Sequence, residues 1–249
     1  MRDLKDHGQD GSVSEGARAL GRREFLALAA GAPTALGAFA AAASDQRATL
    51  LPIPYYSERS DLDAGVACAR MALGYFEPEE HSPCTDVAEM VCHREGFWTF
   101  EAQLIPILLQ KGCRAVLQAQ TPYAELAAGK AQERYGAEAG KRIDREALQW
   151  ALPYLKEENF QERPAVFDEA LEWFDVGDLV VLAVSRQVLR HAPSLPYCRY
   201  NVVLTGHAGN TVRYHDPAAG PHRQADVAAL RAAFEAAGTD RAALRIGRK

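Results

Sequence analysis

Cysteine is scarce in this chain: five among 249 residues, at positions 68, 84, 92, 113 and 198. That is too few for a disulfide-built scaffold, and an odd number leaves at least one thiol unpaired or pairing outside the chain. No CxxC occurs, and Cys84 and Cys92 stand eight apart, so metal-ligand spacing is missing as well. Most of the five are expected to be small buried hydrophobes, with one disulfide open to the protein after export. A basic excess is also missing. The formal charge is −5, which argues against nucleic acid as a main partner. There is no glycine-rich phosphate loop, no internal repeat, and no low-complexity stretch beyond the N-terminal leader. No metal and no cofactor is expected.

What is present begins with that leader. Residues 1–20 are polar, glycine-bearing and expected to be disordered. Residues 21–43 open with Gly-Arg-Arg-Glu-Phe-Leu-Ala, run on through an Ala/Gly-rich apolar stretch, and end Ala41-Ala42-Ala43 before Ser44. Paired arginines, a mildly apolar run and a small-residue cleavage signal match a twin-arginine secretion signal. The run is long enough to suggest a membrane anchor, but alanine and glycine are weakly apolar and Pro33 interrupts it. The expectation is export by the twin-arginine translocase to the periplasm or the exterior, cleavage near Ala43, and no stable membrane span afterwards. Residues 44–249 then form a single domain of ordinary size.

The stretch from Glu58 to Met71 is a loop feeding a helix. Asp63 is its N-cap and Val66, Ala67, Met71 and Leu73 are its buried positions, with the helix running to Phe76. Ser82-Pro83 opens a second helix, and Thr99 caps a third that carries Glu101 in its first turn and stops at Gly112. Pro52 and Pro54 keep residues 44–57 extended. Arg114–Gln118 and the continuous apolar run of Asp178–Val184 read as strands. Residues 123–174 are helical, charged and amphipathic, a candidate cover over a cleft. Residues 185–199 form a loop. Tyr200–Gly206 and Thr211–Asp216 read as a hairpin around His207–Asn210; a turn centred near Ala208 would set Tyr200 opposite Asp216. A helix over 226–237 and a strand over 242–246 close the chain. Helices first and an antiparallel sheet later make an α+β fold.

The segment Asp63-Ala-Gly-Val-Ala-Cys-Ala-Arg-Met71 resembles the Asp-Cys-Gly-x-Ala-Cys-x-Arg-Met stretch of papain-like proteins of the peptidase C39 type, and most of all the guanylyl cyclase domain proteins built on that fold. Phe97-Trp98-Thr99, Gly177-Asp178, Val202–Gly206, Asp216-Pro217 and Gly238-Thr239-Asp240 are further shared landmarks, in order, over residues 52–246. The resemblance implies a papain-like fold, N-terminal helices packed on a C-terminal antiparallel sheet. Active members of such a family use Cys and His, an orienting Asp or Asn, and a Gln lining the oxyanion hole. Carried over by position, the nucleophile falls on Ala64, the oxyanion donor on Glu58, the base on Tyr200 and the orienting acid on Asp216. Only the last is retained. Alanine cannot attack, ionised Glu58 would repel an oxyanion, and a tyrosine with a pKa near 10 is a poor base at neutral pH.

The resemblance therefore implies a degenerate site. The expected function is to hold a peptide or small molecule in the former cleft, through Glu58, Asp63, Cys68, Tyr200 and Asp216; three acids among these favour a basic or amine-bearing ligand. One alternative is a redirected hydrolase or transferase using Cys68, one turn beyond Ala64 on the same helix face, with His93, His207 or His215 nearby. Another is a nucleotide cyclase-like protein, as the nearest look-alikes are named. Asp61 and Asp63 as metal carboxylates read better as helix-start acids. A domain whose cleft is closed is a further possibility.

Overall fold

The computed structural model describes residues 48–60, 62–78, 84–191 and 199–249. The leader, Asp61, Ser82, Pro83 and Cys198 lie outside the described residues, as does the side chain of Cys84.

Eight strands make one sheet among the described residues. They are β1 (Thr49–Leu50), β2 (Cys113–Gln118), β3 (Phe160–Gln161), β4 (Leu179–Ser185), β5 (Arg199–Ala208), β6 (Thr211–Asp216), β7 (Gly220–Asp226) and β8 (Ala243–Arg248). Their order is β3-β2-β8-β4-β5-β6-β7, with β1 pairing separately onto β5. Every pairing is antiparallel except β2 with β3. The helices are α1 (Ala64–Phe76), α2 (Cys84–Met90), α3 (Leu104–Gln110), α4 (Tyr123–Ala127), α5 (Ala131–Tyr135), α6 (Ala137–Gly140), α7 (Arg145–Ala151), α8 (Phe167–Asp175), α9 (Arg186–Leu189) and α10 (Val227–Glu235). The architecture is α+β. No helix among the described residues is long and apolar enough to cross a membrane.

Burial explains which elements form. Every residue of β4 is buried, as a strand covered on both faces requires, and this is why its sequence is an unbroken apolar run. The last strand, β8, fills the gap between β2 and β4, so the chain end completes the middle of the sheet. Helix α8 buries Phe167, Ala170, Leu171 and Phe174 and exposes Asp168 and Glu172, the spacing of an amphipathic helix. Region 123–174 is not a separate cover. Tyr123, Leu126, Leu148, Phe167 and Phe174 from it belong to the core, and β3 within it extends the sheet.

Other boundaries differ in detail. The third helix opens as a 3-10 turn over Glu101–Gln103. Its cap is made by Gln103, whose Oε1 accepts from the Phe100 backbone N–H at 2.8 Å, rather than by Thr99. The 185–199 segment contains α9, whose first turn is capped by Ser185 Oγ accepting from Val188 N at 3.3 Å. Strand β7 has no apolar alternation to announce it, because it is an edge strand exposed along most of its length.

Candidate functional site

Helix α1 starts at Ala64 and packs on β5, which places its first turn beside Tyr200. Ala64, Gly65, Trp98, Thr99, Tyr200 and Asn201 line a chamber of about 20 Å³. That is room for about one water molecule and far too little for a peptide.

Tyr200 and Asp216 do meet, but not as direct opposites. The hairpin turns at Gly209–Asn210, and a bulge between Leu204 and Gly206 shifts the ladder so that Val203 pairs with His215. Asp216 is thereby level with Val202, and Tyr200 sits two residues further on. Its long side chain covers the diagonal, and its hydroxyl donates to Asp216 Oδ1 at 3.1 Å. The same oxygen of Tyr200 accepts from Ala218 N at 2.7 Å. Tyr200 is 1% exposed. Burial pushes its phenol far above the ordinary value, and the charges of Asp216 and Glu58 push it further. A phenol so placed holds its proton at any physiological pH, so it orients and packs but takes no proton.

Asp216 is saturated. Its Oδ1 accepts from Ala218 N and Ala219 N at 3.0 and 2.9 Å, an Asx-turn arrangement. Arg190 Nη2 reaches both carboxylate oxygens at 3.0 and 3.1 Å. Glu58 is tied to the same loop through its N–H, which donates to Pro217 O at 3.1 Å. The structure therefore brings Glu58, Cys68, Tyr200 and Asp216 into one neighbourhood. Arg190 offsets one of its two carboxylates, Asp216.

Asp63 faces elsewhere. It is the N-cap residue of α1 but makes no side-chain cap hydrogen bond. Its Oδ1 pairs instead with His93 Nε2 at 2.9 Å, and His93 Nδ1 lies 2.8 Å from Thr99 Oγ1. This array has the composition of a hydroxyl-imidazole-carboxylate relay. Thr99, however, is only 5% exposed, and α1 presses on it: a Cβ on Gly65 would lie 2.4 Å from the Thr99 carbonyl oxygen. The array is a strut holding the helix start against Thr99. Gly65→Ala, which elsewhere in a helix would be favourable, is expected to destabilise by about 1–3 kcal/mol here. Its melting temperature should fall roughly 2–4 °C per kcal/mol; an unchanged or raised value would show that the contact yields.

Cys68 is fully buried. Burial raises its thiol well above the ordinary value, and the charges of Glu101, Glu58 and Asp216 raise it further. The thiolate that nucleophilic chemistry needs is thus disfavoured. The histidines considered as its partners are committed elsewhere. His93 is bound to Asp63, and His207 Nδ1 lies 2.9 Å from Asp175. His215 Nε2 lies 2.9 Å from Ile53 O while its Nδ1 accepts from His222 N at 3.1 Å. Burial lowers its basicity. Cys92 and Cys113 are also free thiols.

Sequence reasoning missed a buried charge cluster next to this cleft. Arg199, immediately before Tyr200 on β5, donates to Glu101 Oε2 at 2.5 Å, Asp240 Oδ2 at 2.8 Å and Thr121 Oγ1 at 2.9 Å. Arg134 Nη2 and the Tyr135 hydroxyl also reach Asp240. Burial alone would raise the Asp240 carboxyl; Arg199, with hydrogen bonds from Tyr135 and Arg134, outweighs it and holds the group below the usual carboxylate value. The available signal was a charged residue at the head of an otherwise apolar strand. Beside the cluster, Trp98, Phe100, Arg134, Tyr135 and Gly238 line a cavity of about 320 Å³.

No family model matches the chain, and no protein of curated function matches it. Solved structures give distant likenesses. A double glycine motif protease from an AMS/PCAT transporter, solved in complex with the leader peptide, is 12% identical over 80% of this chain and 94% of its own, with a TM-score of 0.45. The peptidase domain of Streptococcus ComA, a bi-functional ABC transporter involved in a quorum sensing pathway, is 7% identical over 78% and 98%, with a TM-score of 0.48. A C39-like peptidase from Bacillus anthracis is 12% identical over 81% and 98%, with a TM-score of 0.49. These likenesses are to the α+β architecture of C39 papain-like peptidase domains.

Proposed function

We propose that this chain is an exported, non-catalytic protein of C39-like architecture that binds a peptide or similar small ligand beside the former active-site cleft. One observation carries the reading. Ala64, Tyr200 and Asp216 converge as a nucleophile, base and orienting acid would, yet the first has no atom able to attack and the second is a buried phenol that keeps its proton. Export rests on the twin-arginine leader in the sequence. The ligand's place moves from the 20 Å³ chamber to the adjoining 320 Å³ cavity, whose size lies within the roughly 300–1,000 Å³ of small-ligand sites. Both arginines at that cavity are already bound to carboxylates, so a triphosphate would meet no uncommitted cationic wall.

The test is retention. The protein is equilibrated with a mixed peptide library, separated from free peptides, and the bound fraction read by mass spectrometry. Selective, saturable retention of intact peptides is expected. Retention of none would overturn the reading.

A further inference from the structure

We propose that His215 is an acid-sensitive latch: the neutral ring ties residues 53–58 and strand β7 to β6, and the protonated ring lets both go. Residues 53–58 belong to no helix or strand. Attachments to one short stretch of chain hold them down. Ile53 O meets His215 Nε2 at 2.9 Å, the Tyr55 hydroxyl donates to Pro217 O at 3.0 Å, and Glu58 N donates to the same carbonyl at 3.1 Å.

The hydrogen bonds fix where the ring carries its proton. A backbone N–H can only donate and a carbonyl can only accept. His222 N donates to His215 Nδ1 at 3.1 Å, so that nitrogen is bare, and the proton sits on Nε2, which donates to Ile53 O. The neutral ring thus uses both nitrogens. A second proton has only Nδ1 to go to, and there it would confront the His222 N–H. Strand β7 is shaped around this contact. The β6–β7 ladder shifts register between Tyr214 and Asp216, and His222 stands at a φ of 50°, which is uncommon for a residue with a side chain.

Nothing around the ring would balance a charge. His215 is 0% exposed. The titratable groups that meet it are Tyr55 and, from β7, His222, with ring centroids 5.4 and 4.7 Å away. Asp216, next on β6, gives its carboxylate to Tyr200 and Arg190, and Arg70 of α1 lies over the Tyr56 ring. No carboxylate side chain contacts the imidazole among the described residues. Burial, then His222, hold its basicity below the ordinary value, against the Ile53 hydrogen bond. A charged ring would be desolvated without a partner, so it reaches water only by parting the segments around it. Folding keeps the imidazole neutral, so the latch is fully closed above the free value of about 6.5. Below that it weakens by up to about tenfold per pH unit, until the buried ring itself charges. Release would also loosen the turn after Asp216, because Tyr55 and Glu58 both hold Pro217.

The experiment is nuclear magnetic resonance of the whole protein, in two readings. Nitrogen shifts of the imidazole at about pH 7.5 are expected to show the neutral ring protonated at Nε2; a proton on Nδ1, or a charged ring, would overturn the latch without any variant. Amide exchange, corrected for its intrinsic pH dependence, is then compared between about pH 7.5 and about pH 4.5. At the lower pH the His222 and Glu58 amides should exchange roughly tenfold to a hundredfold faster, while those of α1 and β4 keep their protection. His215→Gln keeps an N–H for Ile53 O and has nothing to titrate, so it should abolish the rise. His222→Ala keeps the backbone N–H and should leave the rise in place. No rise, a rise shared equally by α1 and β4, a rise that survives His215→Gln, or one that vanishes in His222→Ala would each overturn the proposal.

Discussion

Replacing Arg199 by methionine is expected to cost about 3–5 kcal/mol of stability at neutral pH, the range found when one partner of a buried ion pair is removed. The size follows from what is stranded. Glu101 is fully buried and loses its guanidinium partner, while Asp240, nearly as buried, loses one of two arginines and keeps Arg134. The loss should shrink in acid. Asp240 is depressed in the folded protein, so it contributes stability above the unfolded carboxylate value of about 3.9, and that contribution fades as pH falls through the lower folded value. In the variant the Arg199 attraction is gone, and at Asp240 only Arg134 and the Tyr135 hydroxyl still oppose burial, so protonation there relieves part of the strain. Urea denaturation of both proteins at pH 7 and near pH 3 measures the difference, and adding Glu101→Gln should recover part of the neutral-pH loss. A loss under about 1 kcal/mol would mean that the cluster behaves as an exposed pair does.

The second expectation concerns chemistry. Ala64→Cys restores a thiol to the first residue of α1, where the helix N-terminus favours a thiolate, yet peptide hydrolysis is expected to stay at the level of buffer. Loss of a nucleophile alone costs about six orders of magnitude in such systems, but here the base is gone too, because the proton on Tyr200 is locked in by burial and by Asp216. Ala64→Cys/Tyr200→His would set an imidazole between the thiol and Asp216, yet it too is expected to stay at the level of buffer, because the chamber of about 20 Å³ admits no peptide. Turnover by Ala64→Cys alone would show that a base operates in this cleft that the geometry does not identify.

How far the sequence could be read follows from what each feature depends on. Helix α1 was legible to the residue, from Asp63 to Phe76, because its apolar spacing and its start are local signals. Strand β4 was legible because full burial writes itself as an apolar run. The approach of Tyr200 to Asp216 could be anticipated from the hairpin, but not its register, since the bulge near Thr205 leaves no mark in composition. The edge strand β7 was illegible for want of a buried face. Asp63 looked like a cap because acids before helices usually are; its use by His93 is a tertiary event. The Arg199 cluster was the hardest to see. Glu101, Arg199 and Asp240 are far apart in the chain, and each taken alone reads as a solvated charge or a cap. Their meeting exists only once β5, the segment before α3 and the turn before β8 are assembled.

On the proposed reading, nothing in this cleft performs nucleophilic chemistry. The most direct measurement is a day-long incubation of the protein and its Cys68→Ser variant, each at micromolar concentration, with a mixed peptide library followed by mass spectrometry. Both are expected to give the cleavage pattern of buffer alone. Cleavage by the wild-type protein that disappears in Cys68→Ser would contradict that reading and make the buried thiol the nucleophile.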